Sequence, residues 1–237
     1  YVNDTEHVNF VALGGADTIN VGDLSATDVT QVNLDLSNPP GTGTGDAAAD
    51  TVIVTGTSGN DSIDILGSGT SFSVAGLPTL VSVTGSEGAS DALVVNAIGG
   101  NDTVSAATLP GAVVKLTIDG GTGNDIITGS QGDDQLLGGD GNDLITGARG
   151  SDLALMGSGN DTFVWNPGDG SDVVEGQDGF DTLVFNGANI AENIDLSANG
   201  TRLRLSRDVG AVVMDNSGVE QVNLIPPGRD PYRGARL

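Results

Sequence analysis

A nine-residue repeat between residues 120 and 184 constrains the fold of this chain more than any other feature. The first unit reads Gly-Gly-Thr-Gly-Asn-Asp-Ile-Ile-Thr, and four more units follow it from residue 129 without a gap. Trp165 and Asn166 then interrupt the series before two last units, which start at residues 167 and 176. In all seven units position four is Gly, position six is Asp and position eight is apolar. A unit this short cannot bury its apolar side chain alone, so neighbouring units must stack.

The repeated residues suit the chemistry of calcium. Calcium takes six to eight oxygen ligands from carboxylates, backbone carbonyls and water. Glycine permits the backbone angles of a tight turn with inward-pointing carbonyls, and the Asp at position six adds carboxylate oxygens. The turn glycines and the aspartates at position six are therefore candidate ligands for such a cation. The aspartates are Asp125, Asp134, Asp143, Asp152, Asp161, Asp172 and Asp181. The glycines are Gly121, Gly123, Gly132, Gly139, Gly141, Gly150, Gly157, Gly159, Gly168, Gly170 and Gly179.

These units resemble the RTX, or haemolysin-type calcium-binding, nonapeptide G-G-x-G-x-D-x-U-x. The resemblance covers residues 120–184, about a quarter of the chain. It implies a calcium-binding parallel β-roll that bacteria export by type I secretion. The units depart from the pattern at position two, at position one and in the fourth turn. The departing residues are Ser130, Ala148 and Gln177 at position two, Met156 and Pro167 at position one, and Arg149 in the turn.

The resemblance also implies that two units form one coil of 18 residues, so that alternate units stack on the same edge. Each ion would lie between neighbouring turns of one edge. Three gaps on one edge and two on the other predict roughly five calcium ions. The first edge would carry Asp125, Asp143, Asp161 and Asp181, and the second Asp134, Asp152 and Asp172.

Stacked carboxylates repel one another, and bound divalent ions would turn that repulsion into cross-links. We therefore expect the chain to be expanded without calcium and to fold when calcium binds. The two-residue insertion at Trp165 and Asn166 would widen the last coil. Phe163 and Trp165 are expected to pack in the core.

The N-terminal half repeats at longer intervals. Residues 49–64 align with residues 90–105, and Asp17, Asp61 and Asp102 recur at spacings of 44 and 41. We interpret this half as β-helical coils of roughly 20 residues per repeat. For these three aspartates a structural turn role is the default, and calcium binding is the alternative.

After residue 187 the sequence predicts strands joined at Asn199-Gly200 and near Val209-Gly210, followed by an irregular tail. The expected fold is therefore all-β: a right-handed parallel β-helix at 1–119, a calcium-binding parallel β-roll at 120–187 and an antiparallel hairpin cap with its tail at 188–237. Alternating arginines in the hairpin indicate either a charge-protected edge or pairing with acidic neighbours. They are Arg202, Arg204 and Arg207.

The charge of the chain narrows its partners. It has 32 acidic and 8 basic residues, for a net charge of −24, which argues against nucleic-acid binding and for cations. No apolar run is long enough to span a membrane. The single histidine, His7, has no nucleophile or basic cluster around it in the sequence, so we do not expect an enzyme.

The sequence thus predicts a calcium-binding structural or adhesive module of a secreted bacterial protein, located outside the cell or on its surface. Its expected partners are calcium, other copies of itself in head-to-tail contact, or cell-surface polysaccharide. Residues 219–224 (VEQVNL) echo residues 5–10 (TEHVNF), which favours end-to-end association. The alternative is a fragment of a secreted polysaccharide-processing enzyme of the lyase or epimerase type, since parallel β-helices host such enzymes.

Overall fold

The computed structural model describes residues 4–226, and its strands form two long sheets around one continuous core. The first sheet has 11 strands in the order β1-β3-β7-β6-β5-β9-β11-β13-β15-β17-β21. The strands are β1 (His7–Val11), β3 (Gln31–Asp35), β5 (Ser62–Ser68), β6 (Ser71–Ala75), β7 (Leu80–Thr84), β9 (Thr103–Ser105), β11 (Ile126–Thr128), β13 (Leu144–Thr146), β15 (Thr162–Trp165), β17 (Thr182–Asn186) and β21 (Gln221–Ile225).

The second sheet has 10 strands in the order β18-β19-β20-β16-β14-β12-β10-β8-β4-β2. A single turn of 3-10 helix, Val209–Ala211, is the only helical segment between residues 4 and 226. The strands are β2 (Thr18–Val21), β4 (Thr51–Thr55), β8 (Ala92–Asn96), β10 (Lys115–Thr122), β12 (Asp134–Asp140), β14 (Leu153–Gly159), β16 (Val173–Gly179), β18 (Ile194–Asn199), β19 (Arg202–Arg207) and β20 (Val212–Ser217).

The nonapeptide region is a parallel β-roll, as predicted. Successive units alternate between the two sheets, and strands of the same sheet pair in parallel at an offset of 18 residues, as between Ile126 and Leu144. After the two-residue insertion the offset becomes 20, as between Thr162 and Thr182. The side chain at position eight points into the core in every unit, and each of these residues has no exposed surface. They are Ile127, Leu136, Ile145, Ala154, Phe163, Val174 and Leu183.

The insertion is accommodated by aromatic packing, which confirms the expected core role of Phe163 and Trp165. Trp165 is fully buried, and its ring stacks on Phe185 with the centroids 4.1 Å apart. Its indole N–H donates to the carbonyl of Gly170 at 2.8 Å, so the polar atom of this buried ring is satisfied.

The N-terminal coils are longer and less regular than predicted. Strand β4 pairs with β8 at an offset of 41 residues, and β8 pairs with β10 at an offset of 23. The 41-residue recurrence is therefore one coil, and the prediction that it comprises two coils of roughly 20 residues was wrong, although the coils from β1 to β3 and from β8 to β10 are close to that length, at 24 and 23 residues. The extra length forms the antiparallel strands β5, β6 and β7, which broaden the first sheet.

The C-terminal strands β18, β19 and β20 form the predicted antiparallel hairpins. Strand β19 lies between the other two, so its arginines do not protect an exposed edge. Arg202 binds Glu175 at 2.5 Å and Asp215 at 2.7 Å, as the acidic-neighbour alternative predicted. Arg207 lies on the opposite strand face from Arg202, because strand side chains alternate and the two residues are an odd number apart.

Strand β10 crosses the predicted boundary between residues 119 and 120, and the division into three domains stays a prediction. The predicted irregular tail lies mainly at residues 227–237, outside the described residues. Among residues 4–226, no helix has the length and apolar character needed to cross a membrane.

Candidate metal centre

Two stacks of aspartates run along the edges of the roll, one before each sheet. In each stack the backbone N–H of one Asp donates to Oδ1 of the Asp one coil later. We call these stacks the first and second ladder. In the first ladder the bonds join Asp125 to Asp143 at 2.8 Å, Asp143 to Asp161 at 2.7 Å and Asp161 to Asp181 at 2.9 Å. In the second they join Asp134 to Asp152 at 2.9 Å and Asp152 to Asp172 at 3.0 Å. The structure therefore brings together the same-edge groups that the resemblance to the RTX nonapeptide implied.

The first ladder continues into the N-terminal half. Asp61 donates to Asp102 at 2.7 Å, and Asp102 donates to Asp125 at 2.8 Å. Asp17 does not join them, although the sequence grouped the three. It donates instead to Asp50, which donates to Asp91, in a separate stack beside the second sheet. Asp50 and Asp91 were not among the predicted site residues, although the 41-residue alignment pairs them and each directly precedes an apolar strand as the repeat aspartates do.

The second carboxylate oxygen of most ladder aspartates is buried without a partner. Oδ2 accepts no hydrogen bond in eight aspartates of the described chain, six of which lie in the nonapeptide units. The six are Asp125, Asp143, Asp152, Asp161, Asp172 and Asp181, and the others are Asp17 and Asp102. A buried carboxylate oxygen without a partner is costly unless a cation or proton compensates it.

The pKa values of the ladder aspartates also indicate that their carboxylates need a compensating cation or proton. Burial raises the pKa of Asp143 and Asp161 to about 6, that of Asp172 to about 7 and that of Asp152 to about 9. The neighbouring carboxylates on the same ladder add to the effect of burial, as Asp181 does for Asp161. The protein alone thus disfavours the charged form of these groups, and a cation in the ladder would reverse that preference.

Backbone carbonyls line the same gaps between turns. The carbonyl oxygen of Gly123 points at the Cα of Gly141, one coil later, where a Cβ would overlap it. Gly141 also has a left-handed φ of +143°, so both space and conformation require glycine there. The same approach recurs in both ladders. It joins Gly121 to Gly139, Gly139 to Gly157, Gly141 to Gly159, Gly159 to Gly179, Gly132 to Gly150 and Gly150 to Gly170.

Oxygens also face the gap from the later coil. Oδ2 of Asp125 and the carbonyl oxygen of Gly138 both lie less than 3.0 Å from the position that a Cβ on Gly120 would take, so the two oxygens approach the same point from successive coils. Each such gap therefore contains carbonyl and carboxylate oxygens from two turns. Gly168 differs from the other predicted glycines, because it has a φ of +112° but no neighbouring atom within 4 Å of its Cβ position.

The departures from the repeat pattern have different structural effects. Ala148 and Gln177 adopt left-handed φ values of 67° and 73° at position two, so the turn is preserved there. Ser130 changes its turn, because its N–H and its hydroxyl donate to the carboxylate of Asp134 at 2.5 and 2.7 Å. Arg149 is exposed.

An asparagine ladder, which the sequence spacing did not reveal, runs outside the first aspartate ladder. The N–H of each exposed Asn at position five donates to Oδ1 of the Asn one coil earlier. The bonds join Asn101 to Asn60, Asn124 to Asn101, Asn142 to Asn124 and Asn160 to Asn142, at 2.7 to 2.8 Å. The repeated Gly-Asn-Asp triplet was the signal for it.

The set of ligands fits a hard cation. Within residues 4–226 no three His, Cys, Asp or Glu side chains lie close enough to hold a metal by themselves. The gaps instead offer two carboxylates together with backbone carbonyls, which are ligands that calcium accepts. Soft transition metals prefer thiolate or imidazole, but the chain has no Cys and its single His7 is exposed on β1.

Comparison with protein families identifies these units. The family described as RTX calcium-binding nonapeptide repeat (4 copies) matches residues 119–154, 131–163 and 167–184. A search of curated proteins found no match to this chain. The matched segments contain all seven position-six aspartates of the nonapeptide units, whereas Asp61 and Asp102 of the first ladder lie before them.

Proposed function

Because residues 119–184 contain RTX calcium-binding repeats, we propose that this chain is a calcium-dependent structural or adhesive module that acts outside a bacterial cell. The observation that carries the proposal is the series of buried, unpartnered Oδ2 atoms in gaps lined by backbone carbonyls. The residues that would hold calcium are the position-six aspartates and the turn glycines before them. Calcium would supply charge compensation and link each turn to the next.

Calcium binding would also supply the free energy that folds the chain. The net charge is −24, and the ladders concentrate carboxylates that repel one another when no cation separates them. A site that forms only in the folded chain adds its binding free energy to folding. Since calcium is scarce in the cytosol and abundant outside, the chain would leave the cell unfolded and fold afterwards.

Circular dichroism tests this coupling. We expect the strand signal with millimolar calcium to be lost in excess chelator and to return when calcium is restored. Magnesium at the same concentration is the control, because it requires a stricter octahedral geometry and keeps its water. A strand spectrum of equal strength in chelator would contradict the proposal.

End-to-end association is the second part of the proposal. Strands β1 and β21 are the outer strands of the same sheet, and within residues 4–226 neither pairs with a further strand on its outer side. Residues 221–224 of β21 read Gln-Val-Asn-Leu, the same as residues 31–34 of β3, which pairs with β1. A second copy could place the free edge of its β1 against the free edge of β21 and extend the sheet in parallel, on the edge of β1 opposite to the one that pairs with β3. Such head-to-tail contacts extend into filaments.

The contacts of β1 and β3 show what this pairing would offer. Val8 aligns with Val32 and Phe10 with Leu34, and Asn33 donates a side-chain hydrogen bond to Asn9 at 2.8 Å. Val8 and Phe10 are 39% and 44% exposed, and Leu224 at the other end is 41% exposed. Parallel pairing of β21 with β1 would cover part of this apolar surface.

We propose no catalytic role. Lyases and epimerases that bind acidic polysaccharides bring carboxylates together with basic side chains. In the described chain, Arg202 is paired with Glu175 of β16 and with Asp215, Arg207 is paired with Glu192, and Lys115 is exposed on β10. Calcium-dependent degradation of an acidic polysaccharide by the purified chain would instead support the enzyme alternative. Binding of cell-surface polysaccharide without turnover agrees with an adhesive module.

A further inference from the structure

We infer that the first ladder holds an additional cation one coil before the matched repeats, between the turns that end at Asp102 and Asp125. We infer further that a hydroxyl at position two closes two other turns to cations. Both inferences rest on the proposed calcium function. Residues 97–102 lie outside the segments matched by the repeat family, and the sequence left the role of Asp102 open.

Asp102 has the same environment as the repeat aspartates. Asp102 is only 1% exposed, and its Oδ2 is buried without a hydrogen-bond partner. Its N–H donates to Oδ1 of Asp125 at 2.8 Å, as the N–H of Asp125 donates to Asp143 at the same distance. Asn124 likewise donates to Asn101, which continues the outer ladder. The buried carboxylate therefore lacks compensation here as it does within the repeats.

The backbone of this turn supplies the same carbonyls. The oxygens of Ile98 and Gly100 point at the Cα atoms of Gly121 and Gly123, as the glycine carbonyls do one coil later. Ile98 has a left-handed φ of 79°, close to that of Gln177 at the same position of a repeat unit. A cation between these turns would therefore meet carbonyls and carboxylates like those of the repeats.

The turns that end at Asp61 and Asp134 have a different construction. Thr57 donates its N–H to Oδ2 of Asp61 at 2.7 Å and its hydroxyl to Oδ1 at 3.0 Å. The hydroxyl in turn accepts the N–H of Gly59 at 3.1 Å. Hydrogen bonds from the protein therefore occupy both carboxylate oxygens of Asp61.

Ser130 makes the corresponding bonds to Asp134, and its hydroxyl accepts the N–H of Gly132 at 3.0 Å. A Ser or Thr at position two thus satisfies the carboxylate locally, and the aspartate offers no unpartnered oxygen to a cation. We call these two turns closed and the others open.

This distinction changes where the ions are expected. The gap between Asp134 and Asp152 follows a closed turn and would be the weakest, whereas the gap between Asp102 and Asp125 follows an open one. Asp17 also has an unpartnered Oδ2, but no carbonyl approaches Gly14 or Gly15 in its turn. Five gaps between successive ladder aspartates follow open turns. They are Asp102–Asp125, Asp125–Asp143, Asp143–Asp161, Asp161–Asp181 and Asp152–Asp172.

Calcium stoichiometry tests the additional site. Equilibrium dialysis or calorimetry should show one ion fewer for Asp102→Asn than for the unaltered chain. The matched control is Asp61→Asn, which lies one coil earlier on the same ladder and should leave the number of ions unchanged. An unchanged number for Asp102→Asn would overturn the inference. If the unaltered chain bound no calcium, the proposed function would fail instead.

Two further measurements keep the test decisive if Asp102→Asn does not fold. In the unaltered chain, NMR signals of the Gly100 and Asn101 amides should move during the same part of a calcium titration as that of Asn124. If the NMR signals of the Gly100 and Asn101 amides did not move when calcium was added, the additional site would be contradicted.

A second variant tests the role of the hydroxyl. Ser130→Gly should open the closed turn and add one ion or tighten one binding step. Binding identical to that of the unaltered chain would contradict the role of the hydroxyl.

Discussion

At the scale of single residues, the ladders depend on atoms that approach closely between coils. The carbonyl of Gly123 occupies the space that a Cβ on Gly141 would need, and the main chain of Gly141 has a left-handed φ of +143°. Two separate effects therefore act at this position, steric overlap and backbone strain. Gly168 shows the second effect without the first, since its φ is +112° and its Cβ position is open.

We expect Gly141→Ala to destabilise the calcium-bound chain by at least about 2 kcal/mol, because the new methyl displaces a carbonyl from the gap. Gly168→Ala should cost only about 1 kcal/mol, the strain of a left-handed alanine. Denaturant unfolding in saturating calcium measures both values, and the affinity for calcium should fall only in Gly141→Ala. Equal losses in the two variants would show that the interstrand carbonyl contact is unimportant.

At the scale of elements, the C-terminal hairpin is fastened to the roll by a buried arginine. Arg207 is 5% exposed, and it binds Glu192 at 2.6 Å. Its guanidinium lies 5.3 Å from the centre of the Trp165 ring, which stacks on Phe185. The insertion of Trp165 and Asn166 therefore places an aromatic side chain where the hairpin can cover the last coils.

Replacement of Arg207 by Met should destabilise the chain by about 3 kcal/mol, because the carboxylate of Glu192 would be left buried without its partner. Arg204→Met, in the same strand but on an exposed side chain, should change stability by less than about 0.5 kcal/mol. Unfolding followed by the fluorescence of Trp165, the single tryptophan, reports on this region. If the two variants had similar free energies of unfolding, the proposal that Arg207 holds the hairpin on the roll would be contradicted.

At the scale of the whole molecule, the part of the chain at residues 4–226 leaves one edge strand unpaired on its outer side at each end of the first sheet. The end strands β1 and β21 run parallel to each other through the series of pairings that connects them. Residues 221–224 have the same sequence as residues 31–34, which pair in parallel with the inner edge of β1. An edge strand with unpaired backbone groups is a template for a further strand.

We expect the calcium-bound chain to form oligomers whose mean size grows with concentration in light scattering or sedimentation. Leu224→Lys should shift association to at least tenfold higher concentration, because a charge at the edge opposes strand addition. The control is Leu144→Lys, at an exposed leucine on the interior strand β13, which should associate as the unaltered chain does. A monomer at every concentration would contradict end-to-end assembly.

The sequence by itself determined the roll, because each nonapeptide carries its own turn glycines, carboxylate and core residue within nine positions. The constant nine-residue spacing, together with the two-unit coil that the resemblance to the RTX nonapeptide implies, groups Asp125 with Asp143 and Asp134 with Asp152. Periodicity could not reveal coils of unequal length. Only the tertiary structure decided that Asp61 and Asp102 continue the first ladder while Asp17 lies in another stack, because the antiparallel strands β5 to β7 lengthen one coil.

The tertiary structure also decided which aspartates have an unpartnered oxygen. Asp102 and Asp134 both follow a glycine-containing turn, but the hydroxyl of Ser130 occupies the carboxylate of Asp134, and Asp102 has no such neighbour. Sequence spacing gives only the position of a carboxylate along the chain. Its capacity to bind a cation depends on which donors reach its two oxygens in three dimensions, and those donors come from the turn conformation and from adjacent coils.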